Sequence, residues 1–370
     1  MRGGLFAAGL AALSLAACAT PSEHGTPPGS PAPAQPAPRP APPEPPRRIE
    51  LSQLPGWGAD DHDAAFEAWR ATCHAARERP MAELCARARS AGPMAAGDGR
   101  RFLERSFQAE RVGGEGVLTA YFAPVYEGRR RPDAEFSAPV RPRPADLKTI
   151  QGGAVVQVLA DGAEAPYPDR TAIESAPAEA PLAWMRPEEL FFLQVQGSGV
   201  LVLEDGQRVK VLYAAHNGRP FVGIANPMRD RGLLARDSTS GDAIRGWLAA
   251  HRGPEADEIM RLNPRYAFFR LAPDDGKPPV GAANVPLPRG RAVAVDPAFH
   301  PMGALVWIDG QAPLLAGAFP TYRRLATALD TGGAIKGEVR ADLYLGEGAA
   351  AGAEAGRVRH TLKMWRLVPR

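Results

Sequence analysis

Apolar positions along the chain fall into three regimes. Between residues 60 and 107 they recur at helical spacing. Phe66, Trp69 and Cys73 share one face of a segment opened by Asp60-Asp61. Met81, Leu84 and Cys85 share one face of a second, in whose first turn Pro80 fits, and a third with Asp98 as its cap carries Phe102, Leu103 and Phe107. From residue 117 onward, short β-branched and aromatic runs predict strands at 117–122, 154–159, 191–195, 200–203, 209–213, 266–271, 292–295, 305–308, 326–329 and 364–368. Gly, Pro and the Asp205-Gly206 and Asp309-Gly310 pairs punctuate them, and helices are expected at 187–192, 240–251 and 254–262. Many short strands with turn residues between them predict barrels, not a doubly wound parallel sheet. The third regime is the first 48 residues, with no aromatic side chain between Phe6 and Trp57. Nothing there can pack a core, so the fold is expected to begin near Ile49.

Composition sharpens that last point. Proline makes up 39 of 370 residues, and 12 of them lie within 21–46. A Pro/Ala chain extends by about 3.1 Å per residue, so residues 18–48 read as a tether that reaches up to about 90 Å. Before it, Met1-Arg2 gives a basic start and 5–17 an apolar run too short to span a bilayer, which predicts a secretory leader over 1–17. The leader ends in Leu15-Ala16-Ala17-Cys18, which resembles the bacterial lipobox and implies lipidation of Cys18. Ala19 in place of an aspartate favours the outer membrane, with the domain in the periplasm and anchored by its acyl chains. The 44 basic and 41 acidic residues are interspersed, and a net charge of +3 gives no case for nucleic acid. No apolar run of 18 follows residue 20, which excludes a multi-span membrane protein. The other cysteines, Cys73 and Cys85, are twelve apart. They form either a disulfide stapling a helical hairpin or two buried thiols. The seven scattered histidines and the absence of a strand–helix glycine fingerprint argue for no metal and no nucleotide cofactor.

Candidate chemistry gathers in the last eighty residues. Asp296 in Ala-Val-Asp-Pro, Asp330 in Leu-Asp-Thr-Gly-Gly-Ala-Ile-Lys-Gly and Asp342 in Ala-Asp-Leu-Tyr-Leu-Gly each sit at a strand end. A loop aspartate beside glycine commonly forms a turn. Here Gly332 and Gly333 permit close backbone approach, and the flanking apolar residues can desolvate a carboxyl group and raise its pKa, as an acid catalyst at neutral pH requires. Gln194 and Gln196, read in a strand, would present an amide pair to sugar hydroxyls or satisfy a strand edge. Tyr121 stacks on a sugar or fills the core, and Lys336 meets a substrate carboxylate or solvent. Ser198 lacks the nucleophile-elbow context.

Taken together these stretches resemble the membrane-bound lytic murein transglycosylase A family with its C-terminal 3D domain. The motifs are Leu51-Ser-Gln-Leu-Pro-Gly-Trp57, Leu118-Thr-Ala-Tyr-Phe-Ala-Pro124, Phe192-Leu-Gln-Val-Gln-Gly-Ser-Gly199, Asn263-Pro-Arg-Tyr-Ala-Phe-Phe269 and the three-aspartate segment, covering about residues 50–370. The resemblance implies a mainly β protein with short N-terminal helices. A double-ψ β-barrel catalytic domain is expected from 49–122 and 264–370, and a barrel-like glycan-binding domain is inserted at 123–263. It implies an exo-acting lyase that cleaves peptidoglycan strands without water, Asp342 serving as acid and Asp330 as its neighbour, with Asp296 structural. Thr119, Tyr121, Gln194, Gln196, Gly197, Ser198, Gly199, Gly332, Gly333, Lys336 and Tyr344 are the implied substrate-facing residues. Tyr121-Phe122 stands where a second tyrosine is common in the family, which removes one hydroxyl from the expected groove. Expected partners are glycan strands, a membrane through the lipid anchor and other cell-wall enzymes. Two other classes compete: a non-catalytic peptidoglycan-binding lipoprotein and a hydrolytic glycosidase.

Overall fold

The computed structural model describes residues 47–235, 240–313 and 321–370. The expected leader, Cys18 and all but the last two residues of the tether lie outside these. Strand β1 (Arg48–Ile49) leads through two short 3-10 turns to helices α1 (His62–Thr72) and α2 (Arg79–Ser90). The Asp61 carboxylate caps α1 by accepting from the Ala64 amide at 3.0 Å. Phe66, Trp69 and Cys73 are buried against Met81, Leu84, Cys85 and Ala88, and a disulfide joins Cys73 to Cys85 across a Cα separation of 5.5 Å. Helix α3 (Asp98–Ser106) follows, with Gly97 as its N-cap and Asp98 in the first turn; Phe107 already opens strand β2 (Phe107–Ala123).

Next come β3 (Val125–Glu127), β4 (Ala138–Val140), β5 (Leu147–Thr149), β6 (Val155–Val158), β7 (Glu164–Pro166), α4 (Arg170–Ser175), β8 (Ala183–Met185) and α5 (Pro187–Gln196). After these, β9 (Ser198–Val202), β10 (Arg208–His216), α6 (Ala225–Asp230), α7 (Gly241–Ala250), α8 (Pro254–Arg261) and β11 (Ala267–Pro273) complete this part. Its main sheet has the order β11-β10-β9-β3, with the small β4-β8 and β5-β6-β7 sheets beside it. The chain then returns through β12 (Ala292–Ala294), β13 (Leu305–Pro313), β14 (Thr321–Asp330), β15 (Arg340–Glu347), α9 (Gly348–Ala355) and β16 (Arg359–Pro369). These strands and β2 close into a six-stranded barrel of order β2-β15-β12-β14-β13-β16, with β16 pairing back onto β2 and β1 on the outer edge of β2.

The barrel explains why its strands read as unbroken apolar runs. Val306, Ile308, Ala326 and Met364 point into the barrel core, whereas Leu305, Trp307, Leu325 and Trp365 point outward onto the helices, among Trp57, Phe66 and Trp69. A sheet covered on both faces loses the polar alternation of a half-solvated one. Close approach also requires specific residues. A Cβ at Gly116 would stand 1.7 Å from the Val339 carbonyl, so β15 can lie against β2 only with glycine there.

Three expectations are corrected. Residues 191–195 are helical, within α5. Pro187 at the start, Glu188 and Glu189 in the first turn and left-handed Gly197 at the end are strong helix boundaries. The helix lies between two cores, Leu190 and Leu193 in one and Phe191 in the other, so its apolar residues encircle it and hide the helical period. Asp309-Gly310 is not a turn but part of β13. The Asp309 carboxylate is buried against Arg323 at 2.7 Å, and a Cβ at Gly310 would meet Leu118 at 2.6 Å. Finally, the return to the barrel expected at 264 precedes β11, whose residues pair with β10 in the insert sheet.

Candidate active site

The site is built around the three-residue strand β12. Ala294 is in register with Asp330 of β14 on one side and with Asp342 of β15 on the other. Residues directly opposite in a ladder point to the same face, so both carboxyl groups project to one side, their backbones two strand spacings or about 10 Å apart. Beyond β15 lies β2, where Thr119 is in register with Asp342 and Tyr121 with Tyr344. The period of two in these strands therefore brings Thr119, Tyr121, Asp342 and Tyr344 to a common face.

Hydrogen bonds define the state of each carboxyl group. The Thr119 hydroxyl donates to Oδ1 of Asp342 in a short contact. Arg340 Nη2 donates to that same hydroxyl oxygen at 2.9 Å, which leaves the threonine proton directed at the aspartate. Burial pushes the Asp342 pKa up, Arg340 and the threonine bond oppose the rise, and the Asp330 charge adds to it. Asp330 accepts from the Tyr121 hydroxyl at 2.7 Å through Oδ2, and from the Ala282 and Thr331 amides at 3.0 and 2.9 Å through Oδ1. Burial raises its pKa against these three donors. Desolvation beside Asp330 lifts the Tyr121 hydroxyl well above the usual phenol range, so this tyrosine is a donor and not a base.

The third aspartate differs. Asp296 accepts from the Gly337 and Ala298 amides at 2.9 and 3.2 Å, with Lys336 Nζ at 3.8 Å. The Gly337 amide is the main influence holding its pKa below the carboxylate norm, against a smaller opposing effect of burial. An ionised carboxylate tying two loops together is a fastener, and His300 Nε2 at 2.7 Å from the Glu338 carbonyl secures the same loop.

The other expected residues are distributed as follows. Tyr344 is buried, its ring centroid 5.3 Å from that of Tyr121, and supports that ring from below. Gln194 and Gln196 do not share a face: two residues along a helix are about 200° apart. The Gln196 side-chain oxygen accepts from the Phe122 amide at 3.1 Å, and Gln194 lies 3.4 Å from the Ala267 carbonyl. Gly197 caps α5 in the left-handed region at φ 86°, Ser198 opens β9, and a Cβ at Gly199 would strike the Pro124 carbonyl at 2.7 Å. Gly332 abuts Ile335, whereas Gly333 lies against Arg265 and Phe221 of the insert. Phe122 packs against Gly352 of α9, pointing away from Tyr121, so its lack of a hydroxyl takes nothing from this face. Two participants were missed: the Ala282 amide, from a loop distant in sequence, and Arg340. The latter had a signal, since a residue two before Asp342 in a strand shares its side.

A closed barrel thus presents two desolvated carboxyl groups and a tyrosine donor on one face, an arrangement suited to acid–base chemistry. A model of the MltA specific insert domain matches residues 117–270 and one of the 3D domain matches residues 291–368. The insert match runs into β11, in keeping with its pairing there. Membrane-bound lytic murein transglycosylase A of Vibrio cholerae serotype O1 is 33% identical over 284 residues, 73% of this chain and 72% of that protein. Its counterpart in Escherichia coli K12 is 31% identical over 277 residues, 72% and 70% of the two chains. The crystal structure of a membrane-bound lytic murein transglycosylase from Agrobacterium tumefaciens covers 87% of this chain and 97% of its own at a TM-score of 0.77 and 32% identity. E. coli MltA with bound chitohexaose covers 84% and 89% at a TM-score of 0.64 and 26% identity. The chain belongs to the membrane-bound lytic murein transglycosylase A family.

Proposed function

We propose that this protein is a peptidoglycan lytic transglycosylase that cleaves the β-1,4 bond between N-acetylmuramic acid and N-acetylglucosamine without water. Asp342, protonated, gives its proton to the glycosidic oxygen as the bond from that oxygen to the muramoyl C1 breaks and positive charge develops at C1. The Asp342 carboxylate then takes the proton of the muramoyl C6 hydroxyl, whose oxygen bonds to C1 and closes a 1,6-anhydro ring. The nucleophile is part of the substrate, so one carboxyl group serves both steps. The observation that carries this reading is Asp342 itself, whose pKa is raised by burial and whose carboxyl is oriented by the Thr119 hydroxyl. Asp330 is less suited to activating water in a hydrolase: three of its roughly four acceptor positions are taken by Tyr121, Ala282 and Thr331. Its negative charge faces the developing oxocarbenium centre and holds the Asp342 pKa up.

Digestion of purified sacculi with wild type and Asp342→Asn, followed by mass analysis, tests the reading. Anhydro-muropeptides are expected from the wild type alone, and products one water heavier would refute it. Arg340 acts through Thr119. In Arg340→Met the hydroxyl loses its orienting donor and kcat is expected to drop about tenfold. Because Arg340 lowers the Asp342 pKa, its loss should move the alkaline limb of the pH–rate profile to higher pH. A fall in kcat with an unmoved limb would assign Arg340 to folding alone.

The tether and Cys18 complete the proposal: an enzyme lipid-anchored to the outer membrane, facing the periplasm and reaching wall strands through residues 18–48. Cys18→Ala is expected to shift it from the membrane to the soluble fraction. Retention at the membrane would exclude this anchor.

A further inference from the structure

On the insert, beside Gly333, Arg265 and Arg143 act on one exposed aromatic ring, Tyr213, and neither is paired with a carboxylate among the described residues. Arg265 Cζ and Nε lie 3.3 Å from where a Gly333 Cβ would stand, with the Phe221 Cβ at 3.5 Å. Arg265 Nη1 donates to the Arg219 carbonyl at 3.1 Å, Arg219 Nε to the Tyr167 carbonyl at 3.0 Å and Arg143 Nη2 to the Leu147 carbonyl at 3.1 Å. Tyr213 is 46% exposed, and Arg265 and Arg143 are the charges that act on its hydroxyl. Elsewhere in the insert, Arg170 pairs with Glu174, Arg186 with Glu127 and Glu135, and Arg252 with Glu188, whereas Arg141 donates to the Ala176 and Pro177 carbonyls. Among the described residues no carboxylate lies within ion-pair distance of Arg143, Arg219 or Arg265. Arg265 is half-buried, and that burial draws its pKa down, opposed by Tyr213 and by no carboxylate. The neighbouring His216, brought to about 4 by burial and by Arg265, is neutral and supplies no further charge.

We propose that Arg265, assisted by Arg143, binds a carboxylate carried by the glycan strand, while the exposed Tyr213 ring receives an adjoining sugar. This rests on the peptidoglycan reading and adds to it a determinant that separates acidic from neutral glycans. A guanidinium fork matches a carboxylate in two parallel hydrogen bonds, and a partly desolvated one binds it more strongly than a solvated one. Gly333 lies against the guanidinium, and a Cβ there would crowd it. It lies three residues past Asp330, at most about 11 Å of chain, so the carboxylate bound belongs to a sugar close to the scissile bond. That carboxylate comes from the lactyl group of a stripped muramic acid or from a peptide stem.

Binding is measured in the Asp342→Asn background with three probes: chitohexaose, which is neutral, glycan strands freed of peptide, and strands bearing their stems. Arg265→Gln is expected to weaken acidic strands about tenfold or more, the loss of a charge-assisted hydrogen bond, and to leave chitohexaose within about twofold. A loss on stripped strands identifies the lactyl carboxylate, and a loss confined to stem-bearing strands identifies the peptide. Arg265→Lys should recover part of the affinity and make it more salt-sensitive, which separates charge from folding. Equal weakening of all three probes, or of none, overturns the proposal. Failure of the unsubstituted Arg265 protein to bind any probe would instead refute the peptidoglycan reading.

Discussion

Asparagine in place of Asp342 is expected to lower glycan cleavage about a thousandfold while raising thermal stability at neutral pH. The two effects share one cause. Burial disfavours the ionised carboxylate and so lifts its pKa, which keeps a proton available for the leaving oxygen. For stability, a carboxyl whose folded pKa is raised carries no penalty below its unfolded value of about 3.9, where both states are protonated. The penalty grows as pH rises from there to the raised folded pKa and is constant above it. An amide has no charged form, so the gain in melting temperature should be full above the raised folded pKa, shrink as pH falls below it and vanish below the unfolded value of about 3.9. Calorimetry at the two ends of that window decides the matter. The Thr119 hydroxyl still finds an acceptor in the asparagine oxygen, so lost activity would not reflect a lost contact. Equal melting temperatures at neutral pH would show that Asp342 is not desolvated, and retained cleavage would give the acid role to another group.

Asp330→Asn is expected to slow cleavage about a hundredfold and to move the alkaline limb of the pH–rate profile downward. The Asp330 charge raises the Asp342 pKa, so removing it lets Asp342 ionise at lower pH. This is the opposite sign to Arg340→Met, and the pair separates electrostatics from packing. A variant that merely disturbed the fold would have no reason to shift the limb in one direction at Asp330 and the other at Arg340. The Ala282 and Thr331 amides can still donate to the asparagine oxygen. The Tyr121 hydroxyl can turn to accept from the new amide, so the loop around the site should hold. Parallel pH–rate profiles of the three proteins are the measurement. A limb that stays in place in Asp330→Asn would mean the two carboxyl groups do not sense each other.

How much of this was legible in the chain varied with the locality of the signal. The helical hairpin was, because Phe66, Trp69 and Cys73 repeat at a spacing that only a helix lays on one face. So were most barrel strands, since β-branched runs between glycines have little other use. Residues 191–195 read as a strand because α5 packs into two cores, with Leu193 in one and Phe191 in the other, and its apolar residues on several faces hide the helical period. Asp309-Gly310 was misread because a turn pair and a strand pair look alike until Arg323 and Leu118 are seen beside them.

The sequence by itself determined that three aspartates have glycine or proline nearby and apolar residues beside each, and that a proline-rich segment precedes the fold. These are facts of composition and short-range order. Only the tertiary structure shows how the three are arranged. Asp330 and Asp342 flank the same residue of β12, while Asp296 is held by loop amides and kept ionised. It also placed Arg340 behind Thr119, and Arg265 opposite Gly333. The reason is physical. A carboxyl group's proton affinity depends on the charges and solvent within a few ångströms of it, and those neighbours come from strands hundreds of residues apart.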